Sequence, residues 1–351
     1  MPSPLPLPAH VVNKRLSDAL QQGIDEHVFS GAQAAWCVDG GEIHLLSSGY
    51  TRYKGGIAIT QHTRFDIASL TKLFTATIAL HLVDAKKLSL DSIMWSDHTL
   101  ETLLSHESGL PAWKPFFEYI PVQERGSLEA CNQIIAMVLG TEKETISSDS
   151  AVYSDLGFIG LGHHLEQITN VPFKDLVADI ITQPLGMART CFGVDLSPSE
   201  TDIAATENCP WRGRILQGEV HDDNAWAMGG IAGHAGLFST AEEMVTFGEA
   251  WRAALTTDGI VHSTLANLAV TRRHQGRGLG FDIKTPGASS IGNTADKRTF
   301  GHLGFTGTSL WIDPTRAAVI CLLTNRVHPT RENNRIRDFR PYFHELFFSA
   351  V

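Results

Sequence analysis

Residues 65–85 read FDIASLTKLFTATIALHLVDA. From Leu70 to Ala85 the run is nearly all apolar, and it predicts a helix buried on most of its faces. Lys72 sits inside that run, where an ammonium needs a reason to be. The reason lies three residues back. Positions three apart share a helix face, so Ser69 in the first turn sets a hydroxyl beside the Lys72 amine. An ammonium lowers the cost of an alkoxide, and a neutral amine can take the hydroxyl's proton. A helix start adds its dipole and free N–H groups. Ser69 is the only serine in the chain with a lysine three residues later. The bland alternative is an N-capping serine beside a solvated lysine.

The flanks of this helix differ in kind. Before it, residues 10–26 carry helical apolar spacing (Val11, Val12, Leu16, Leu20, Ile24), and Ala32–Val38 and Glu42–Tyr50 flank Asp39-Gly40-Gly41, a hairpin signal. After it, Leu100–Leu104, Leu128–Leu139, Leu156–Thr169 and Phe173–Ile181 read as helices. The last third returns to strand signatures at Leu279–Ile283, Thr308–Ile312 and Ala317–Thr324, the last two joined by the turn Asp313-Pro314-Thr315-Arg316. Pro341–Phe348 reads as a closing helix with its proline in the first turn. A chain of 351 residues suits two packed units. The expected fold class is α/β (α+β): an antiparallel sheet flanked by helices, built from both chain ends, with an inserted helical domain. The expected boundaries are residues 10–75 and 225–351 for the sheet domain, 76–224 for the helical domain and 1–9 for an extended tail. A cleft is expected where the two meet.

Two further stretches carry chemistry. Tyr153-Ser154-Asp155 precedes Leu156-Gly157-Phe158-Ile159-Gly160-Leu161-Gly162, whose glycines suggest close helix packing. A tyrosine just before a helix cap can point into a cleft. Beside a lysine its phenol is easier to ionise and can act as a general base, the alternative being simple packing at a helix start. Gly301-His302-Leu303-Gly304-Phe305-Thr306-Gly307 lies on or beside a strand, where glycines admit a substrate backbone or a second strand. A backbone N–H there can form half of an oxyanion hole with the Ser69 N–H as the other half, the alternative being a glycine-rich bend.

In that order, S-x-x-K at Ser69–Lys72, Y-x-N read as Tyr153-Ser154-Asp155, and K-T-G read as His302-Leu303-Gly304, the chain resembles the serine β-lactamase and penicillin-binding-protein superfamily. The likeness is to its class C β-lactamase-like branch of esterases and D-aminopeptidases, over residues 28–330. Segments 103–111, 183–187 and 230–237 also look like scaffold stretches of that family. The resemblance implies a β-lactamase/transpeptidase-like fold and a serine hydrolase cleaving an ester or amide through an acyl-enzyme. It makes Ser69 the nucleophile, Lys72 and Tyr153 its base pair, and the N–H groups of Ser69 and Phe305 the oxyanion hole. Asp155, His302, Leu303 and Gly304 would contact substrate. The alternatives are a β-lactamase, a D-amino-acid-specific peptidase, and a non-enzymatic binding or scaffold protein on the same fold.

Two departures bear on substrate. Asp155 stands where the family has Asn, and its charge favours the Lys72 ammonium, leaving more of the base role to Tyr153. Full activity in Tyr153→Phe would reject that hypothesis. His302-Leu303 replaces Lys-Thr, removing a cation and a hydroxyl that would hold a carboxylate. Neutral esters, amides or N-terminal peptide substrates are therefore expected over β-lactams and peptides ending in a free D-amino acid.

Composition excludes much else. With 28 Lys plus Arg against 38 Asp plus Glu, the net charge of −10 is no footprint for nucleic acid. No apolar run is long enough to span a membrane. Prolines interrupt the apolar N-terminal stretch, so no export signal is read, and five scattered cysteines without a C-x-x-C pair suit a reducing, cytoplasmic setting. No metal or organic cofactor is implied. His221-Asp222-Asp223 with His234 matches no standard ligand spacing, adjacent His163 and His164 face different ways on a helix, and Gly276-Arg277-Gly278-Leu279-Gly280 lacks the dinucleotide spacing. No G-x-S-x-G occurs. Trp95, Trp113, Trp211 and Trp226 are read as packing residues. The expected partner is a small ester, amide or peptide, with oligomeric state left open.

Overall fold

The structure, a computed structural model, describes residues 6–144, 151–197, 200–271, 274–287 and 289–351. The main sheet takes two strands from near the start of the chain, β1 (Gly31–Val38) and β2 (His44–Gly49), and four from its last quarter: β3 (Asp282–Ile283), β4 (Phe300–Leu303), β5 (Ser309–Asp313) and β6 (Ala318–Thr324). Their spatial order is β3-β4-β5-β6-β1-β2, and every pairing is antiparallel. The β1–β2 turn uses positive φ at Asp39 (55°) and Gly40 (65°). In the β5–β6 turn the Asp313 carboxylate accepts the N–H groups of Thr315 and Arg316.

Both faces of the sheet are covered, and the pleat sorts the side chains. In β6, Ile320 and Leu322 join one core with Ala32, Ala34 and Trp36 of β1. Val319, Cys321 and Leu323, together with Ala35 and Cys37, join the other. The first core is closed by α1 (Ala9–Asp25) and by the C-terminal helix Ile336–Phe348, through Leu16, Leu20, Phe339, Phe343 and Phe347. The second is closed by the helix Ala241–Ala254, which lies close enough for a Cβ on its Gly248 to come within 2.5 Å of Val319 Cγ1. Each large apolar side chain so buried contributes about 1.5–3 kcal/mol.

The helix α2 (Thr71–Asp84) runs through this second core, and every residue from Thr71 to Leu80 is buried. Its polar residues are satisfied in place. Thr75 donates to Gly233 O at 2.5 Å, and Thr77 donates to Leu73 O while accepting from Trp251 Nε1. Beyond α2 lie further helices, among them Leu128–Leu139 and Asp155–Thr169.

Several local readings need correction. Residue 9, expected in the tail, is already helical; Pro8 caps α1, and residues 1–5 lie outside the described residues. The closing helix begins at Ile336, so Pro341 is inside it rather than in its first turn; burial of Ile336 and Phe339 extends the helix backwards past the proline. The strand expected at Leu279–Ile283 shrinks to Asp282–Ile283 because Gly280, with φ +82°, turns the chain first. The helix expected at Phe173–Ile181 is α-helical only to Val177 and continues as a π-turn over Ala178–Thr182.

Candidate active site

The Ser69 turn is held by its neighbours. Ser69 lies in a single 3₁₀ turn, Ala68–Leu70, that leads into α2. Ala68 has φ +48°, a strained value for an L-residue. The buried Asp66 carboxylate supports it by accepting the N–H groups of Ala68 (2.8 Å) and His221 (2.7 Å). The link between β4 and β5 clamps the same turn: Thr306 donates to Asp66 O (2.7 Å) and Thr308 to Ile67 O (3.1 Å). Gly304 is required by this approach, since a Cβ there would collide with Thr308 Oγ1 and lie 2.6 Å from Ile67 O.

Lys72 is fully buried, donates to Ser69 Oγ at 3.0 Å and His234 O at 3.3 Å, and forms an ion pair with the Asp155 carboxylate at 2.7 Å. Burial pulls the Lys72 pKa down, but the Asp155 and Tyr153 oxygens outweigh it, and the net shift is upward. Asp155 opens the helix Asp155–Thr169, whose cap is Ser154: its hydroxyl accepts from Gly157 N and donates to Pro111 O.

Tyr153, half-buried, precedes this cap, with the Lys72 ammonium 4.8 Å from its ring centroid. Its phenol lies close enough to Lys72 and Ser69 for both to favour its ionised form. Its pKa is raised, first by burial and then by Asp155, against the lowering effect of Lys72. The expectation of a phenol that ionises more easily is therefore corrected: desolvation outweighs the neighbouring cation. His106 packs on the Tyr153 ring (4.6 Å) and accepts the Ser154 N–H at Nδ1 (3.0 Å), which fixes both the ring and the cap. Burial holds His106 neutral.

His302 lies across from Tyr153, ring centroids 5.8 Å apart. Its Nδ1 is 2.7 Å from Leu303 O, so Nδ1 carries the proton, and Nε2 is an acceptor that has no partner among the described residues. Burial lowers its pKa to about 4. The half-exposed Phe305 ring is stacked between His221 (5.6 Å, 24°) and the Arg326 guanidinium (4.3 Å). The Phe305 N–H has no acceptor among the described residues.

These residues border one cleft of about 630 Å³, lined by Ser69, Tyr153, Asp155, His302, Leu303, Gly304 and Phe305. Lys72 stands behind Ser69 and is not among the lining residues. His221, Asp222, Asp223 and His234 also line the cleft, where Asp222 pairs with His234 (2.9 Å) and His221 with Glu207 (3.3 Å). Trp113 lines it too, while Trp95 stacks on His164 away from it.

The sequence reading missed the arginines. Arg277 lines the cleft with its guanidinium 5.2 Å from the Tyr153 ring centroid and is paired with Asp282. Arg326, Arg337 and Arg340 line the end nearest the C-terminal helix, and among the described residues none of the three forms an ion pair with a carboxylate. Burial lowers Arg326 to about 10 and Arg340 to about 9, which leaves both charged at neutral pH. The argument that this cleft lacks a cation for a carboxylate is thus overturned: Lys is absent from β4, but another element supplies positive charge. The available signal was five arginines between residues 326 and 340 of an acidic chain.

The Beta-lactamase family profile matches residues 16–341. A protein of Salmonella enteritidis PT4 named "Putative D-alanyl-D-alanine carboxypeptidase" is 29% identical over 320 residues, covering 80% of this chain and 73% of that one. Among solved structures, an octameric penicillin-binding protein homologue from Pyrococcus abyssi superposes with TM-score 0.74 at 20% identity, over 95% of this chain and 77% of the other. EstCE1, described as a hydrolase with promiscuous acyltransferase activity, superposes with TM-score 0.66 at 18% identity, over 95% and 99% of the two chains.

Proposed function

This chain belongs to the beta-lactamase family of serine hydrolases, and on that premise we propose that it cleaves an amide or ester next to a carboxylate, through an acyl-enzyme on Ser69. The observation that carries the chemistry is the Ser69–Lys72–Asp155 line at the cleft wall, with Tyr153 against both hydroxyl and ammonium. Ser69 Oγ attacks the substrate carbonyl carbon. The serine proton passes to the Tyr153–Lys72 pair, which is active after losing one proton of its own. Lys72 remains the cation that stabilises a Tyr153 phenolate. The tetrahedral oxyanion sits between the N–H groups of Ser69 and Phe305. On collapse the C–N or C–O bond breaks, and the leaving group takes the proton from Tyr153. A water molecule then gives a proton to the same pair and attacks the acyl carbon; the Ser69 Oγ–acyl bond breaks, the pair returns that proton to Oγ, and the acid is released.

Arg326, Arg337 and Arg340 support the carboxylate, because a cleft end with unneutralised positive charge favours an anion. The names of the curated relatives point the same way, to a peptide with a C-terminal carboxylate. A second reading, hydrolysis of a neutral ester, is favoured by the apolar side chains of Leu303 and Phe305 at the reacting end.

The test is a substrate panel on wild type and Ser69→Ala: a nitrophenyl ester, a cephalosporin, and a peptide ending in D-Ala-D-Ala as free acid and as amide. The expected result is turnover that falls by about 10³-fold or more in Ser69→Ala, with the free-acid peptide cleaved faster than its amide. Equal or faster cleavage of the amide rules out the anion preference. Activity that survives in Ser69→Ala rules out the acyl-enzyme.

A further inference from the structure

Two buried arginines are spent on backbone carbonyls, and one of those carbonyls belongs to a special peptide. Arg340 Nη2 donates to Gly304 O at 2.5 Å and to Thr308 O at 3.0 Å. Gly304 O is the carbonyl of the peptide unit whose N–H is that of Phe305. The Gly304–Phe305 peptide is trans, so its N–H points away from Arg340. Among the described residues that N–H has no acceptor. Arg326 Nε donates to the next carbonyl, Phe305 O, at 2.7 Å.

Arg340 is 8% exposed, its Nε has no partner, and among the described residues it pairs with no carboxylate. A surface network or an ion pair would account for a buried guanidinium, and neither is present here. Holding a turn needs only a neutral donor; a full charge set against two amide oxygens, the shorter contact being to Gly304 O, does more. A cation on a peptide oxygen draws electron density toward that oxygen and makes the same unit's N–H a stronger donor. It also aligns the dipole before any charge develops on substrate.

We infer that Arg340 is a positioning residue that orients and polarises the Gly304–Phe305 peptide, so that the Phe305 N–H stabilises the developing oxyanion more strongly. This rests on the reading of Phe305 N–H as part of the oxyanion hole. It assigns to the C-terminal helix a part in transition-state stabilisation rather than in substrate binding alone.

The experiment uses a neutral nitrophenyl ester, so that any contact between Arg340 and a substrate carboxylate is absent. The acylation rate from the product burst, the KM, and the infrared stretch of the acyl-enzyme carbonyl are compared in wild type, Arg340→Lys and Arg340→Gln. Loss of a whole oxyanion donor costs about 10²–10³-fold. Weakening one is expected to slow acylation in Arg340→Gln by about 10- to 100-fold, with KM little changed and the acyl carbonyl stretch moved to higher frequency. Arg340→Lys, which keeps the charge, is expected to stay nearer to wild type on both measures. Equal acylation rates and carbonyl frequencies in the Lys and Gln variants overturn the proposal, because charge then plays no part. So does acylation of this neutral ester at the wild-type rate in both variants, which leaves Arg340 no part in the oxyanion hole. A wild-type protein with no Ser69-dependent burst instead overturns the acyl-enzyme reading, and this inference with it.

Discussion

Lys72 is the residue on which the chemistry turns, and its environment is decided by one neighbour. The Asp155 carboxylate at 2.7 Å keeps the ammonium charged in a buried place and holds the Tyr153 phenol protonated. In Asp155→Asn that negative charge is gone. The phenolate then costs less to form, so the rise of kcat/KM with pH is expected to begin at lower pH, by about one unit. A pH–rate profile in Asp155→Asn that superposes on wild type would show that Tyr153 does not carry the base role. The Ser69–Lys72 relation was legible in sequence because i,i+3 spacing is local. That Lys72 would find His234 O as an acceptor was not, since 162 residues separate them.

At the scale of elements, the site depends on how closely the β4–β5 link approaches the start of α2. Gly304 permits that approach, and Thr306 and Thr308 tie it down. Gly304→Ala is expected to push the link away from Ile67 and misplace the Phe305 N–H by a fraction of an ångström to one ångström. A shift of that size costs up to about 10²-fold in kcat/KM, and Tm should fall as well. Steady-state kinetics and a thermal melt check both; a variant that matches wild type in both removes the close approach from the account. Long apolar runs, such as α2 and β6, were read correctly from the sequence. The ends of elements were read less well at Pro341 and Gly280, where burial of Ile336 and a positive φ decide the boundary.

Over the whole molecule, charge is distributed against the average. The chain carries −10, yet its cleft holds three arginines that form no ion pair among the described residues. The interior also holds histidines kept neutral by burial, His302 at about 4 and His344 at about 3. Above pH 6.5 such a histidine is neutral in both folded and unfolded chains and has no effect on stability. Below it the unfolded chain takes a proton that the folded chain refuses. Each therefore removes up to ~1.4 kcal/mol per pH unit as pH falls from 6.5 toward its folded value. Urea midpoints are expected to be steady from pH 7 to 8 and to drop between pH 6.5 and 4.5. A midpoint that stays constant across the lower window contradicts the neutral buried histidines.

Local pattern was enough to determine the nucleophile turn, the apolar α2, the two-ended antiparallel sheet and the three motif segments in order. The turn, the helix and each motif rest on residues close in the chain, where apolar runs and turn chemistry act directly, and the two-ended sheet on the order of strand-like and helical segments. The sign of the Tyr153 shift and the cation at the cleft end were settled only by folding. Both come from distance and burial between segments far apart in sequence: Tyr153 against Lys72, and the C-terminal helix against Gly304. Desolvation and Coulomb energy depend on where side chains meet in space, and no spacing along the chain encodes that.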